Sequence, residues 1–183
     1  MVGQVAVDRI VAAPSNAQSG FYAGCAPREL SKMHSAQHVY ATAPLGSLVR
    51  YGNGKPRPPE HDKRKLRAWE NENGVGRLIE RCGPSESLAA HFIIHVGDFE
   101  REVAVMMMAR RIFFVGEWKI FEIVETPAPG AVRVLFENFG QDELCYLASD
   151  VADAEQWMAV NGSAGMRIEI VPDPDPVTLP ETA

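Results

Sequence analysis

The chain has 183 residues, 46% of them apolar, and a formal charge of −6, so it can bury the core of one domain of ordinary size but not of two. Its three cysteines lack a CxxC spacing, which indicates neither a disulfide framework nor a zinc site. No apolar run approaches the roughly 18 residues that a membrane-spanning helix needs, so we expect a soluble protein in a reducing cytoplasm.

Both ends of the sequence are predicted to lie outside the folded domain. Residues 1–37 begin without the basic patch and apolar core of a secretory signal, so we interpret them as a poorly ordered leader. Met1 and Met33 are both candidate start residues. Residues 172–183 form an acidic, proline-rich tail that cannot fold alone. The folded domain is therefore assigned to residues 38–171.

Four elements are predicted in the first half of the domain. They are strands over 38–42 and 47–51, a helix between Pro58-Pro59 and Asn73-Gly74, and a strand over 74–81. Proline suits the first position of a helix, and an Asn-Gly pair is typical of a left-handed helix end. The helix carries Leu66 and Trp69 as its apolar stripe, and we expect Trp69 to hold it on the core.

The second half is predicted to be mostly sheet. Strands are expected over 88–96, 103–108, 112–115, 119–126, 131–138, 144–148 and 166–171. Pro127-Ala-Pro-Gly130 predicts a hairpin between the strands on either side. Ser149 or Asp150 can cap a helix that ends at Asn161-Gly162. The chain is thus predicted to be a single α+β domain with a mixed, curved or barrel-like β-sheet and two main helices.

The expected core consists of apolar residues on the inward positions of these elements. They are Phe92, Ile94, Val103, Val105, Phe114, Ile123, Val132, Val134, Leu147, Trp157 and Ile168. His91 and His95 would chelate a metal on a helix, but the strand spacing separates their Cα atoms by about 13 Å. We therefore interpret them as outward-facing or half-buried histidines.

The segment 50–81, RYGNGKPRPPEHDKRKLRAWENENGVGRLIER, concentrates positive charge. It holds nine of the eighteen Lys and Arg residues against five acids, a local charge of +4, so the rest of the chain carries −10. Such a segment attracts phosphates or an acidic protein surface, although a solvated helix face has the same composition. The candidate binding residues are Arg50, Lys55, Arg57, Lys63, Arg64 and Arg67.

Carboxylates interleave with these cations and suggest a second, catalytic interpretation. Glu60 and Asp62 are the candidate catalytic pair, positioning Mg²⁺ or activating a water to cleave a phosphodiester or a nucleotide such as ATP. Ion pairing along the helix surface is the alternative role for them. A P-loop is excluded, because the spacing from Gly52 to Lys55 is too short and Pro56 replaces the hydroxyl residue. Binding is therefore better supported than catalysis.

Two stretches, HVYATAPLGSLVRYGNGKPRPPE and KRKLRAWENENGVGRLIER, resemble a segment of proteins from conjugative plasmids. The layout of residues 38–171 is similar to fertility inhibition factors of the Osa and FiwA type, which hinder transfer of a co-resident element by type IV secretion. The resemblance implies a ParB/sulfiredoxin-like fold, a family associated with nucleotide hydrolysis and, in some members, with DNA cleavage. Neither the phosphate motif of ParB proteins nor the cysteine context of sulfiredoxins has a match, so no family site residue is carried over.

The resemblance implies an inhibitor that acts on the coupling ATPase of the transfer apparatus or on the relaxase–DNA complex delivered to it. It would work in the bacterial cytoplasm or at the cytoplasmic face of the inner membrane. Two alternatives remain open from the residues alone: a nucleic-acid or nucleotide enzyme of ATPase or nuclease type, and a non-catalytic adaptor with a basic docking helix.

Overall fold

The computed structural model describes residues 33–99 and 107–173, which form three helices and one eight-stranded sheet. The protein is of the α+β class, as predicted. In chain order the elements are α1 (Ala36–Thr42), β1 (Leu48–Gly52), α2 (Lys63–Glu72), β2 (Gly74–Cys82), β3 (His91–Phe99), β4 (Met107–Phe114), β5 (Ile120–Glu125), β6 (Val132–Asn138), β7 (Gln141–Ala148), α3 (Val151–Asn161) and β8 (Met166–Ile170).

The sheet branches at its central strand, β2. The main path runs β4-β3-β2-β7-β6-β8, while β1 also pairs with β2 and carries β5 on its other side. β1 pairs with residues 74–77 of β2, and β7 pairs with it at Glu80. Every pairing among the described strands is antiparallel, so the prediction of a mixed sheet is wrong.

The predicted strand over 38–42 is wrong, because these residues belong to helix α1. Ser35 caps the helix, and its side chain accepts a hydrogen bond from the His38 N–H at 3.2 Å. Ala36 and Val39 are fully buried and lie three residues apart, which places both on one helix face. The N-cap and this buried face outweigh the local β-preference of the run, and the described residues form three helices instead of the two predicted.

Helix α2 differs from the prediction at both ends. It begins at Lys63, after Asp62, whose side chain accepts a hydrogen bond from the Lys65 N–H at 3.2 Å, so Pro58 and Pro59 precede the helix. At the other end Asn73 is extended, with φ −130°, and the predicted left-handed stop is absent there. α3 begins after Asp150 and ends before Gly162, as predicted.

The predicted hairpin across residues 127–130 is also wrong. β5 pairs with β1, whereas β6 pairs with β7 and β8, so the connection joins the two branches of the sheet. Pro127 of this connection is buried and lies beside Gly46. The predicted strand over 112–115 is the end of the longer β4, and residues 103–106 lie outside the described residues.

Three aromatic rings from the two branches of the sheet form the centre of the core, two from β3 and β4 and one from β5. The Phe121 ring centroid lies 5.4 Å from that of Phe92 and 5.2 Å from that of Phe113. β5 is not hydrogen-bonded to β3 or β4 in the described sheet, so the sheet must curve to bring these rings together while remaining open. Tyr51 extends the cluster, with its ring 4.9 Å from that of Phe113.

Much of the predicted core is confirmed. Phe92, Ile94, Val132 and Val134 are fully buried, while Ile123, Leu147, Trp157 and Ile168 are partly buried against the two core clusters. Val103 and Val105 lie outside the described residues. Phe114 is 40% exposed, so its assignment to the core is wrong, and the adjacent Phe113 is the buried residue. His91 and His95 are buried, contrary to the prediction of outward or half-buried side chains.

Candidate docking surface around helix α2

Helix α2 and the loop 53–62 before it form the α2 surface, which contributes nothing to the two core clusters. The helix has no buried residue. Trp69 is partly buried, and its indole N–H donates to the Lys55 carbonyl at 2.9 Å. Asn73 accepts from the Asn53 N–H at 3.1 Å and donates to the Trp69 carbonyl at 2.7 Å. Trp69 therefore holds the helix to its loop, and the prediction that it docks on the core is wrong.

Four of the six predicted binding residues are free of ion pairs with other described residues. Lys63, Arg64 and Arg67 are exposed on α2, and Lys55 is exposed on the loop. None of their side chains makes a hydrogen bond or ion pair within the part of the chain that the structure describes. These four cations are therefore accessible to an external anion.

The other two predicted binding residues are partly neutralised. Arg50 forms an ion pair and hydrogen bond with Glu122 of β5. Arg57 lies 3.8 Å from Glu60, an outer distance for an ion pair. A cation that already faces a carboxylate attracts an external anion less strongly. We therefore expect the cations of α2 to attract an anion more strongly than Arg50 and Arg57 do.

The candidate catalytic carboxylates are both engaged with neighbouring cations. Asp62 caps α2 and pairs with the Lys65 ammonium at 2.7 Å, and these hydrogen bonds hold the pKa of Asp62 below its usual range. Glu60 faces Arg57 and is largely exposed. Among the residues that the structure describes, no three His, Cys, Asp or Glu side chains are grouped to hold a metal ion. Catalysis by Glu60 and Asp62 with ATP and Mg²⁺ stays a prediction.

A groove of about 270 Å³ adjoins the loop side of the surface. Its walls include Tyr51, Ile120 and Phe121, and Arg50 and Lys55 also line it. The mostly apolar walls lie next to Lys55 and the Arg50–Glu122 ion pair, and they give the α2 surface a concave border.

Arg111 is a cation of this region that sequence reasoning missed. It lies on β4, its guanidinium carbon 5.4 Å from the centre of the Tyr51 ring, and it donates a hydrogen bond to the Asn71 carbonyl at the end of α2. Burial raises the pKa of Tyr51, and the charge of Arg111 partly offsets that effect. No local pattern could have revealed Arg111, because it is forty residues from Asn71 in the sequence.

The two described cysteines are free thiols outside the α2 surface. Burial and the neighbouring Glu80 raise the pKa of Cys82 to about 12. Burial, with the charge of Glu143, raises that of Cys145 to about 11. Both side chains are therefore protonated at neutral pH and lack the thiolate that nucleophilic chemistry requires.

Asp62 provides a test of how α2 is held. Because its folded-state pKa is lowered, the stabilisation it provides is full above the ordinary carboxyl pKa of 3.8 and is lost as pH falls through the lowered value. We expect Asp62→Ala to reduce the hydrogen-exchange protection of the Lys65 amide at neutral pH. Asp62→Asn should retain most of it, because Asn caps helices about as well as Asp.

Asp62→Asn also separates the effect of the negative charge from that of the helix cap. Its protection factors should lack the acid-dependent loss expected of the wild type, since Asn does not titrate. Equal protection of Lys65 in the wild type and in Asp62→Ala at neutral pH would contradict the capping role.

Among the described residues, no helix has the length and apolarity needed to cross a bilayer. Residues 34–175 match the model of a protein family whose description is "uncharacterised conserved protein UCP036055". No curated protein and no solved structure matches the chain.

Proposed function

The chain belongs to this UCP036055 family, and we propose that it is a plasmid-encoded fertility inhibition factor that docks on the conjugative transfer apparatus through the α2 surface. The inhibitor reduces type IV secretion of a co-resident element. Its partner is the coupling ATPase or the relaxase–DNA complex. The biological role is inferred from the resemblance of residues 38–171, and the mode of docking from the charge distribution.

One observation supports docking above all others. Lys63, Arg64 and Arg67 are exposed on a helix that has no buried residue, and no described acid forms an ion pair with them. The chain as a whole carries −6, so this cluster is a local positive region on an acidic protein. Clustered charge of one sign steers a partner of opposite charge during encounter and sets its orientation. An acidic protein face or a phosphate backbone fits this surface.

The arrangement of the carboxylates favours docking over hydrolysis. Metal-assisted cleavage requires carboxylate oxygens that converge on an ion. Asp62 instead uses its oxygens for the helix cap and for Lys65, and Glu60 points toward Arg57. The same residues therefore shape and orient the basic surface.

The proposal includes the finer features implied by the resemblance. The domain adopts a ParB/sulfiredoxin-like variant of the α+β class. The protein works in the bacterial cytoplasm or at the cytoplasmic face of the inner membrane, where it can meet the coupling ATPase.

The proposal is tested by conjugation. Donor cells that carry a transferable plasmid are given either the full chain or an empty vector, and transconjugants per donor are counted. We expect fewer transconjugants with the protein present. Since the affected system is not specified by the chain, several plasmid systems are assayed, including IncW-like and Ti-like ones. Unchanged transfer in all of them would overturn the proposed role.

A further inference from the structure

Strand β8 lies at one end of the main path of the sheet. Among the described strands it pairs only with β6. The Val171 N–H donates to the Ala131 carbonyl at 2.8 Å, so the peptide groups of residue 171 face β6. Backbone groups alternate in direction along an antiparallel strand, so those of Ile168 and Ile170 face away from β6. No described strand uses this outer edge.

The side chains of β8 are self-complementary about its middle residue. In an antiparallel pairing of two copies centred on Ile168, Arg167 lies opposite Glu169 of the second copy, and Met166 lies opposite Ile170. Residues directly opposite in such a pair share one face of the sheet. One face would therefore carry two Arg–Glu contacts, and the other face would carry only apolar contacts.

The backbone agrees with the same register. Because the peptide groups of Ile168 face the free edge, the two copies of Ile168 would exchange two hydrogen bonds. The Ile170 N–H would donate to the Met166 carbonyl of the other copy. The Met166 N–H already donates to the Ser163 carbonyl at 3.2 Å, so only the carbonyl of Met166 is needed. Arg167 and Glu169 fall at the intervening positions, where facing side chains approach most closely.

Contacts within each copy already orient the charged side chains. The Arg167 guanidinium donates to both oxygens of Asp142, at 2.6 and 2.7 Å, and Arg133 pairs with Glu169 at 2.7 Å. The side chains of Arg167 and Glu169 nevertheless remain 45% and 42% exposed. Ile170 is 54% exposed, which is high for an apolar strand residue. Asp142 and Arg133 lie on the β6 side of β8, so a second copy would approach Arg167 and Glu169 from the other side, where part of each side chain remains exposed. The other face of the edge carries the uncovered apolar area of Ile170.

The opposite end of the sheet lacks this complementarity. β4 carries Arg110 and Arg111 at its centre, so two-fold pairing centred on either residue would set that arginine opposite the same arginine of a second copy. Positive charges at such positions are a common protection of edge strands against self-pairing.

We propose that β8 is the interface of a two-fold homodimer, in which the sheet continues from one copy into the other. The interface uses the same strand from both copies, as a closed two-fold dimer requires. The contacts of α2 are with its own loop and with Arg111 of β4, at the other end of the sheet. Both α2 surfaces therefore stay free, and the dimer can engage a repetitive partner at two points.

Sedimentation velocity of the full chain over a range of concentrations tests the proposal. The wild type should sediment as a dimer at high concentration. Arg167→Glu and Glu169→Lys should each weaken dimerisation by more than about tenfold, because each sets like charges opposite one another twice. An equimolar mixture of the two variants should dimerise again, because both contacts then join opposite charges.

The mixture separates loss of the interface from loss of the fold, since only folded partners can restore each other. Ile112→Lys on β4, which also replaces an exposed isoleucine, should leave dimerisation unchanged. Should a charge variant not fold, Ile170→Lys provides the same test through the exposed apolar contact. A wild type that is monomeric throughout, or two monomeric variants that do not pair when mixed, would overturn the proposal.

Discussion

Phe113→Ala should lower the free energy of unfolding by about 3–5 kcal/mol, whereas Phe114→Ala should lower it by less than about 1 kcal/mol. Phe113 is 2% exposed and its ring contacts those of Tyr51, Phe92 and Phe121. Phe114 is 40% exposed, and its ring lies 5.7 Å from that of His91. Truncating the first leaves a cavity among three rings, while truncating the second mainly removes solvent-exposed surface.

Urea unfolding followed by circular dichroism measures both variants against the wild type. The pair is a matched control, because the same substitution is made at adjacent residues of one strand. Successive strand residues point to opposite faces, so the difference between the two losses reports the orientation of β4. Similar losses for both variants, or a greater loss for Phe114→Ala, would show that this orientation is wrong.

Trp157 shows how the cost of truncating a side chain depends on its burial. The sequence places Trp157 among the core residues, and full burial would give Trp157→Ala the same cost of about 3–5 kcal/mol. The residue is only partly buried, and its ring stacks on that of Tyr146. The ring centroids are 5.1 Å apart and the ring planes are inclined by 4°. The substitution should therefore cost less than Phe113→Ala.

Local sequence patterns predicted those strands and helices whose bounds depend on neighbouring residues. The strands β2, β6 and β8 were expected nearly as observed, because β-branched residues and turn residues mark their bounds. α3 was expected from its cap at Asp150. α1 was missed because its helical face is formed by Ala36 and Val39, and the expected strand began at residue 38, beyond Ala36.

The partners of the strands could not be predicted in the same way. The proline-rich connection after β5 has the composition of a hairpin, yet β5 pairs with β1, more than sixty residues earlier. Such long-range pairing depends on which apolar faces meet in the core, here the rings of Phe92, Phe113 and Phe121. Composition near a turn carries no information about that choice.

The α2 surface, like the fold, was predicted only in part. The cations of α2 are contiguous in sequence, so their cluster was visible without a structure. The neutralisation of Arg50 was not, because its partner Glu122 is seventy-two residues away. Arg111 joined the region for the same reason, from β4. A count of charges along the segment therefore overstated the contribution of Arg50 to the positive surface and omitted that of Arg111.

The variant Lys63→Gln/Arg64→Gln/Arg67→Gln should restore plasmid transfer in a donor whose transfer the wild type inhibits. None of the three side chains forms an ion pair with a described acid, so their removal should weaken the attraction for an acidic partner. The fold should not change, because exposed charges contribute little to stability. Transconjugants per donor are counted after immunoblotting and thermal melts show equal abundance and equal melting temperature.

Lys65→Gln is the control within the same helix. Lys65 already pairs with Asp62, so losing its charge should leave inhibition nearly intact. Inhibition by the triple variant equal to that of the wild type would show that α2 is only a solvated helix and that the working surface lies elsewhere.

The carboxylates distinguish the two mechanisms that this surface allows. Glu60→Gln with Asp62→Asn removes both negative charges, while Asn at position 62 retains the cap of α2. A docking inhibitor should remain active and could bind an acidic partner more tightly, because the local positive charge rises by two. An inhibitor that cleaves DNA or a nucleotide with the help of a metal should instead lose its effect, since the oxygens that position the ion are gone. We expect the first result, because Asp62 and Glu60 are already engaged with Lys65 and Arg57.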